Sequence, residues 1–193
     1  AAATMIALGV WQLQRRSEKE ALLALYHANL GKPAVSFPML PPVPDAALFR
    51  PSSLVCLEVG DWQVEGGRAA DGSTGYRHIA RCRTGAEGPG ALVDMGVAPD
   101  PRFRPQWTGG TVTGVITTAP QHVSSLGRLL GKAPPPAALL IAAQPAPGLK
   151  AAARPNPDDI PNNHLAYSVQ WFFFAAVALL IYGLAVRRRM KTG

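Results

Sequence analysis

The sequence predicts a membrane protein of the α+β class, with two transmembrane helices, the first truncated, flanking a mainly antiparallel β extramembrane domain. Three observations carry this expectation. Residues 165–186 hold 22 positions without a charge, with Ser168 and Gln170 the only strongly polar side chains. The chain opens on AAATMIALGVW, a second apolar stretch. Between the two lie short β-branched and aromatic runs separated by Gly, Pro and Asp turns.

The first stretch is too short to cross a bilayer, whose core of roughly 30 Å takes about 20 helical residues. It leads without a turn signal into Trp11, Gln12, Arg15, Arg16 and Lys19. An aromatic followed by basic residues is how a span meets the interface. The tail of a cleaved signal peptide would instead end at small residues before polar sequence. Residues 1–16 therefore read as the end of a first transmembrane helix. SEKEALLALYHANL (17–30) continues it, with apolar positions at helical spacing, and Gly31 and Pro33 stop it.

Residues 36–51 are proline-rich and irregular. LVCLEVGDWQVEG (54–66) alternates in part, and DGSTG (71–75) is a turn. In YRHIARCRT (76–84), Tyr76, His78, Ala80 and Cys82 alternate with Arg77, Ile79, Arg81 and Arg83. A turn at 85–90 precedes ALVDMGV (91–97), and GTVTGVITT (110–118) is strongly β-branched. The apolar core of the proline-bounded APPPAALLIAAQPAPG (133–148) predicts an edge strand, and residues 154–164 form a turn-rich approach to the second helix. The expected organisation is an outer-face, periplasmic domain over 17–163 with an N-terminal helix, a second transmembrane helix over 164–186, and a cytoplasmic tail over 187–193. The strands belong to one antiparallel sheet or a small barrel.

Of the 19 basic residues behind the net charge of +7, four stand in that tail: Arg187, Arg188, Arg189 and Lys191. Anionic head groups of the lipid bilayer account for them, and short basic tails stay in the cytoplasm. Arg15, Arg16 and Lys19 would lie on the outer side, against that rule. No basic stripe with interleaved aromatics is present, which argues against nucleic acid as a partner. An Ala-, Pro- and Arg-rich composition points to a bacterium, and so to a multi-pass protein of the inner membrane.

Cys56 and Cys82 fall in the outer segment, where a disulfide is permitted; a bonded pair and two buried thiols are both open. No GxSxG, HExxH, CxxC, Walker or GxGxxG pattern occurs in its proper context, so no enzyme is expected. Asp158 and Asp159 read as solvated loop residues. His27 reads as a surface or packing residue, His78 as a sheet-surface residue, and His122 as a loop residue without a partner.

Both apolar stretches carry a Trp-Gln pair near one membrane level, Trp11-Gln12 and Gln170-Trp171. His164, Tyr167, Ser168 and Trp171 share one helical face, while Gln12, Arg15 and Lys19 form a stripe on the first helix. A histidine with aromatic neighbours facing a cationic helix suits haem: imidazole ligates iron, and Arg or Lys pairs with propionates. An interfacial aromatic belt, with Asn162 or Asn163 capping the helix, explains the same residues.

LGVWQLQRRSEK and PNNHLAYSVQWFFFA resemble the two signature ends of the Surfeit locus protein 1 family, the membrane-anchored assembly factors of cytochrome c oxidase. Leu8, Gly9, Trp11, Gln12, Arg15 and Lys19 meet one pattern; Asn162, His164, Leu165, Tyr167, Trp171 and Phe172 meet the other. Gly75-Tyr76 and ALVDMGVAP (91–99) resemble elements between them, although Asp94-Met95-Gly96 stands where the family commonly has Asn-Arg-Gly. The segment from Gln121 to Arg154 also lacks an expected Trp/Tyr-rich loop.

The resemblance implies a part in haem-copper oxidase maturation, with transiently bound haem a presented to oxidase subunit I, and with haem a synthase as a further partner. It implies a haem site at His164, the iron ligand, with Tyr167, Trp171, Trp11, Gln12 and Arg15 around it. The alternative is a cofactor-free scaffold that stabilises an oxidase assembly intermediate.

Overall fold

A computed structural model describes residues 1–192. The chain divides into two compact units, residues 1–24 with 160 onward, and residues 25–159. Helix α1 (Ala2–Leu30) runs from the first into the second, and α3 (His164–Thr192) belongs to the first.

Among the described residues, α3, within the segment 157–191, is the one helix long and apolar enough to cross a membrane, its most apolar window reaching a mean hydropathy of 2.1. Only 6% of its most apolar window is buried within the protein, so it is not the core helix of a soluble domain. α1 is as long, but it is apolar only at its beginning and charged from Arg15 onward, and does not reach that hydropathy.

The second unit is built on a seven-stranded mixed sheet. Its strands are β1 (Val35–Ser36), β2 (Pro51–Cys56), β3 (Glu58–Arg68), β4 (Thr74–Arg83), β5 (Ala91–Ala98), β6 (Gly110–Thr118) and β7 (Ala138–Ala142). Their order is β1-β2-β6-β7-β5-β4-β3. The β1–β2 and β5–β7 pairings are parallel and the other four antiparallel. A five-residue helix, α2 (Ser125–Leu129), interrupts the β6–β7 connection, with Ser124 as its N-cap.

Three strand expectations change. β7 is central rather than an edge, and all five of its residues are buried. Burial on both faces gives an unbroken apolar run instead of alternation, which its flanking prolines disguise. The run 54–66 is two strands, parted by Leu57 alone and lying on opposite sides of the sheet order. His78 is fully buried rather than on the sheet surface. The register shift between Arg77 and Ile79 puts His78, Ile79 and Ala80 inside in succession, which breaks simple alternation.

The sheet curls on itself where β2 hands over to β3. Cys56 is disulfide-bonded to Cys82 of β4, and the Leu57 amide donates to the Arg83 carbonyl at 2.8 Å. Ile79, Val93, Ile116, Leu139 and Leu140 fill the interior. Asp94 is 1% exposed, accepts from Arg77 Nε at 2.8 Å and from the Gly96 amide at 3.0 Å, and so finds on β4 the arginine its own strand lacks. Gly96 has a φ of 125°, and a Cβ there would collide with the Lys150 carbonyl, so glycine is required.

The end of α1 is anchored to the same unit. Asn29 is buried and donates to the Leu48 carbonyl at 2.9 Å, while the Tyr26 hydroxyl donates to Asp45 at 3.0 Å. Burial and the neighbouring Asp45 push the Tyr26 hydroxyl up to about 12. His27 Nε2 lies 3.1 Å from Asp158 Oδ1.

Candidate functional site: a helix pair bound through its signature residues

α1 and α3 meet along a seam of small and polar residues. Gly9 is buried on α1, Ser168 and Ala175 on α3. A Cβ on Gly9 would lie 2.7 Å from the Phe172 ring, so only glycine admits this approach. Glycine costs up to about 1 kcal/mol of helix propensity, and here it allows ring-on-backbone packing of the kind found between helices in lipid. The Ser168 hydroxyl donates to the Gly9 carbonyl at 3.0 Å, a bond that also satisfies a buried polar side chain.

Four positions before Ser168 on α3, and three after Gly9 on α1, comes the polar contact of the pair. His164 Nδ1 lies 2.7 Å from Gln12 Oε1. As the first residue of its helix, His164 is held half-buried at the seam. An amide oxygen can only accept, so the geometry assigns the proton to Nδ1. Nε2 is then left with its lone pair. Metal-binding histidines are oriented in this way, with the other ring nitrogen donating to an oxygen.

The remaining expected residues are placed as follows. Tyr167 is exposed on α3, and its amide donates to the Asn163 carbonyl. Trp171 is half-buried and packs edge-on to Phe174, with ring centroids 6.2 Å apart. Trp11 is exposed on α1 beneath the Arg15 guanidinium, 5.6 Å from its ring centroid, a cation–π contact. Arg15 and Arg16 are each paired along the helix, with Glu18 at 2.8 Å and Glu20 at 2.7 Å. Thus Gln12 and His164 are brought together, Arg15 joins Trp11, and Trp171 turns to another phenyl ring.

Sequence reasoning missed Gly9 and Phe172 as a packing pair, since each lies in an apolar run that signals only membrane. The spacing that places Gly9 one turn before Gln12, and Ser168 one turn after His164, carries that signal. His122 also has a partner that sequence distance hid: its Nε2 is 2.8 Å from Glu65 Oε1. No cluster of three or more His, Cys, Asp or Glu side chains suited to a metal occurs among the described residues.

Comparison with known proteins finds a match to the family model described as the SURF1 family, over residues 1–176. That span includes both helices' signature ends and all seven strands. No curated protein matches the chain.

Proposed function

The chain belongs to the SURF1 family, which is linked to cytochrome c oxidase assembly, and from that premise we propose that it carries haem a as cargo to subunit I of the oxidase. The observation behind this reading is the 2.7 Å contact between His164 Nδ1 and Gln12 Oε1, which fixes the imidazole and presents Nε2 as a lone-pair donor. The residues fit a haem edge in part. His164 supplies the iron ligand, and Tyr167, Trp171 and Trp11 supply apolar surface beside it. Arg15 is engaged with Glu18 and Trp11, so a propionate takes it by exchange with Glu18. Haem a supplies an iron centre able to accept the imidazole nitrogen. The chain's own part is to orient that nitrogen through Gln12 and to let go readily, because a single side chain holds the metal.

In this reading α3 crosses the inner membrane of a bacterium and the beginning of α1 lies in the membrane beside it. The basic tail stays in the cytoplasm, and the sheet domain lies in the periplasm. Haem a synthase is the natural donor of the cargo. Binding and release of a finished cofactor call for no catalytic group, so no turnover is assigned.

Chain purified in detergent from cells that make haem a should show a Soret band. His164→Ala should abolish most of it, and Gln12→Ala should weaken and shift it while leaving the protein folded. A second reading rests on the same seam: Gln12 and His164 hold the helices together in a cofactor-free scaffold for an oxidase intermediate. It predicts no band in any variant, with oxidase assembly still lost in His164→Ala.

A further inference from the structure

His78 is the most unusual polar side chain of the sheet domain. It is fully buried, yet neither Nδ1 nor Nε2 has a hydrogen-bond partner within the protein. A neutral imidazole carries one donor and one acceptor, and leaving both unmade in the interior is costly. Burial, with the Arg104 charge nearby, pushes its pKa down and keeps it neutral. The ring lines a cavity of about 500 Å³ between the β3–β4 face and the loop 99–109. That volume lies within the range of small-molecule sites.

The walls are largely apolar. Trp62 of β3, opposite Ala80, meets the His78 ring edge-on with centroids 6.5 Å apart, and Phe103 meets it near-perpendicularly at 5.8 Å. Val64, the cross-strand neighbour of His78, with Pro101 and Pro105, complete them. One cation stands at the rim: Arg104 is exposed and has no carboxylate partner among the described residues, only long contacts of 3.4 Å to the carbonyls of Arg102 and Phe103. Aromatic walls, a single unneutralised guanidinium and an unpartnered imidazole together select a flat apolar molecule with one negative charge.

We propose that this cavity is a second ligand site, in the sheet domain, for an aromatic monocarboxylate, with Arg104 holding the carboxylate and His78 bonding to one of its oxygens. Phe103 is its gate: its ring packs against the imidazole, so a ligand reaching His78 displaces it. The site shares no residue with the Gln12–His164 seam and does not depend on the haem reading.

The test is equilibrium dialysis of 1-naphthoate against the full chain in nanodiscs, with empty discs as the partition blank. Saturable binding is expected, at least 10-fold weaker in Arg104→Gln and tighter in Phe103→Ala, whose gate is removed. Uncharged 1-naphthalenemethanol should bind at least 10-fold more weakly, and His164→Ala should bind naphthoate like the parent. His78→Asn should weaken binding; if it fails to fold, the Arg104 and Phe103 variants still decide. Equal binding of acid and alcohol, equal binding by the parent and Arg104→Gln, or uptake no greater than by empty discs would overturn the assignment.

Discussion

Arg77 and Asp94 lie 17 positions apart in the chain yet form the most deeply placed ion pair among the described residues, with Asp94 at 1% exposure. Burial raises the Asp94 pKa even against the opposing pull of Arg77 and the Gly96 amide. A raised folded pKa means that its contribution to stability is fully present below the usual carboxylate value and is lost as pH rises through the folded one. Arg77 and the Gly96 amide offset part of the cost of burying that carboxylate. Arg77→Met should destabilise the chain by about 3 kcal/mol, the cost of an uncompensated buried charge. Asp94→Asn should cost nearer about 1 kcal/mol, with denaturant melts of the detergent-solubilised protein separating the two. His78 has the opposite sign. Its folded pKa is lowered, so its contribution is present above the usual 6.5 and is lost as pH falls from there through the folded value. The melting temperature should drop between pH 7 and pH 5, and His78→Phe should flatten that dependence. Neither residue was legible as buried in the sequence: a strand of alternating arginines looks solvated on one face, and the register shift at Arg77 and Ile79 is a matter of pairing with β5.

At the scale of the elements, the seam of α1 and α3 is the contact most exposed to a single substitution. Gly9→Leu would put a branched side chain where a Cβ alone already meets the Phe172 ring at 2.7 Å. The helices should part, with loss of the His164–Gln12 bond. Cysteines introduced at Gln12 and His164 should be bridged readily by a short bis-thiol-reactive reagent in the parent background and poorly with Gly9→Leu, read by gel mobility. The helices themselves were plain in the sequence, because their apolar periodicity and the Gly31–Pro33 stop are local signals. β6 was equally plain from its β-branched run. β7 was misplaced because whether a short apolar strand is central or at an edge depends on what pairs with it. The join of β2 and β3 was missed because a lone exposed leucine is a faint boundary. Of the helix seam, Gln12 and His164 were singled out by periodicity and family resemblance, but Gly9 and Phe172 were not recognised as a packing pair. Nor was the direct His164–Gln12 contact, since it joins positions 152 residues apart.

For the whole molecule, the disulfide links chemistry to location. Cys56 and Cys82 join strands four places apart in the sheet and close a loop with a sequence separation of 26. Chain-entropy reasoning assigns such a cross-link about 3 kcal/mol. Persistent disulfides belong to oxidising compartments, which agrees with the proposed outer-face position of the sheet domain. Thiol alkylation of intact cells should find both cysteines blocked, and Cys56→Ser/Cys82→Ser should lower the melting temperature by several degrees. Two reactive thiols in the parent would place the domain in the cytoplasm and reverse the topology.

The meeting of His27 with Asp158 closes the sheet domain at its own entrance and exit, since the chain comes in near one and departs near the other. In topological terms, the domain is a cassette set into the turn of a helical hairpin. A cassette whose ends adjoin can be lengthened, shortened or replaced without disturbing the hairpin's register, as long as the ends stay close. The two parts are thus free to diverge at different rates. A central segment that departs from the family pattern can sit between two signature ends that keep it.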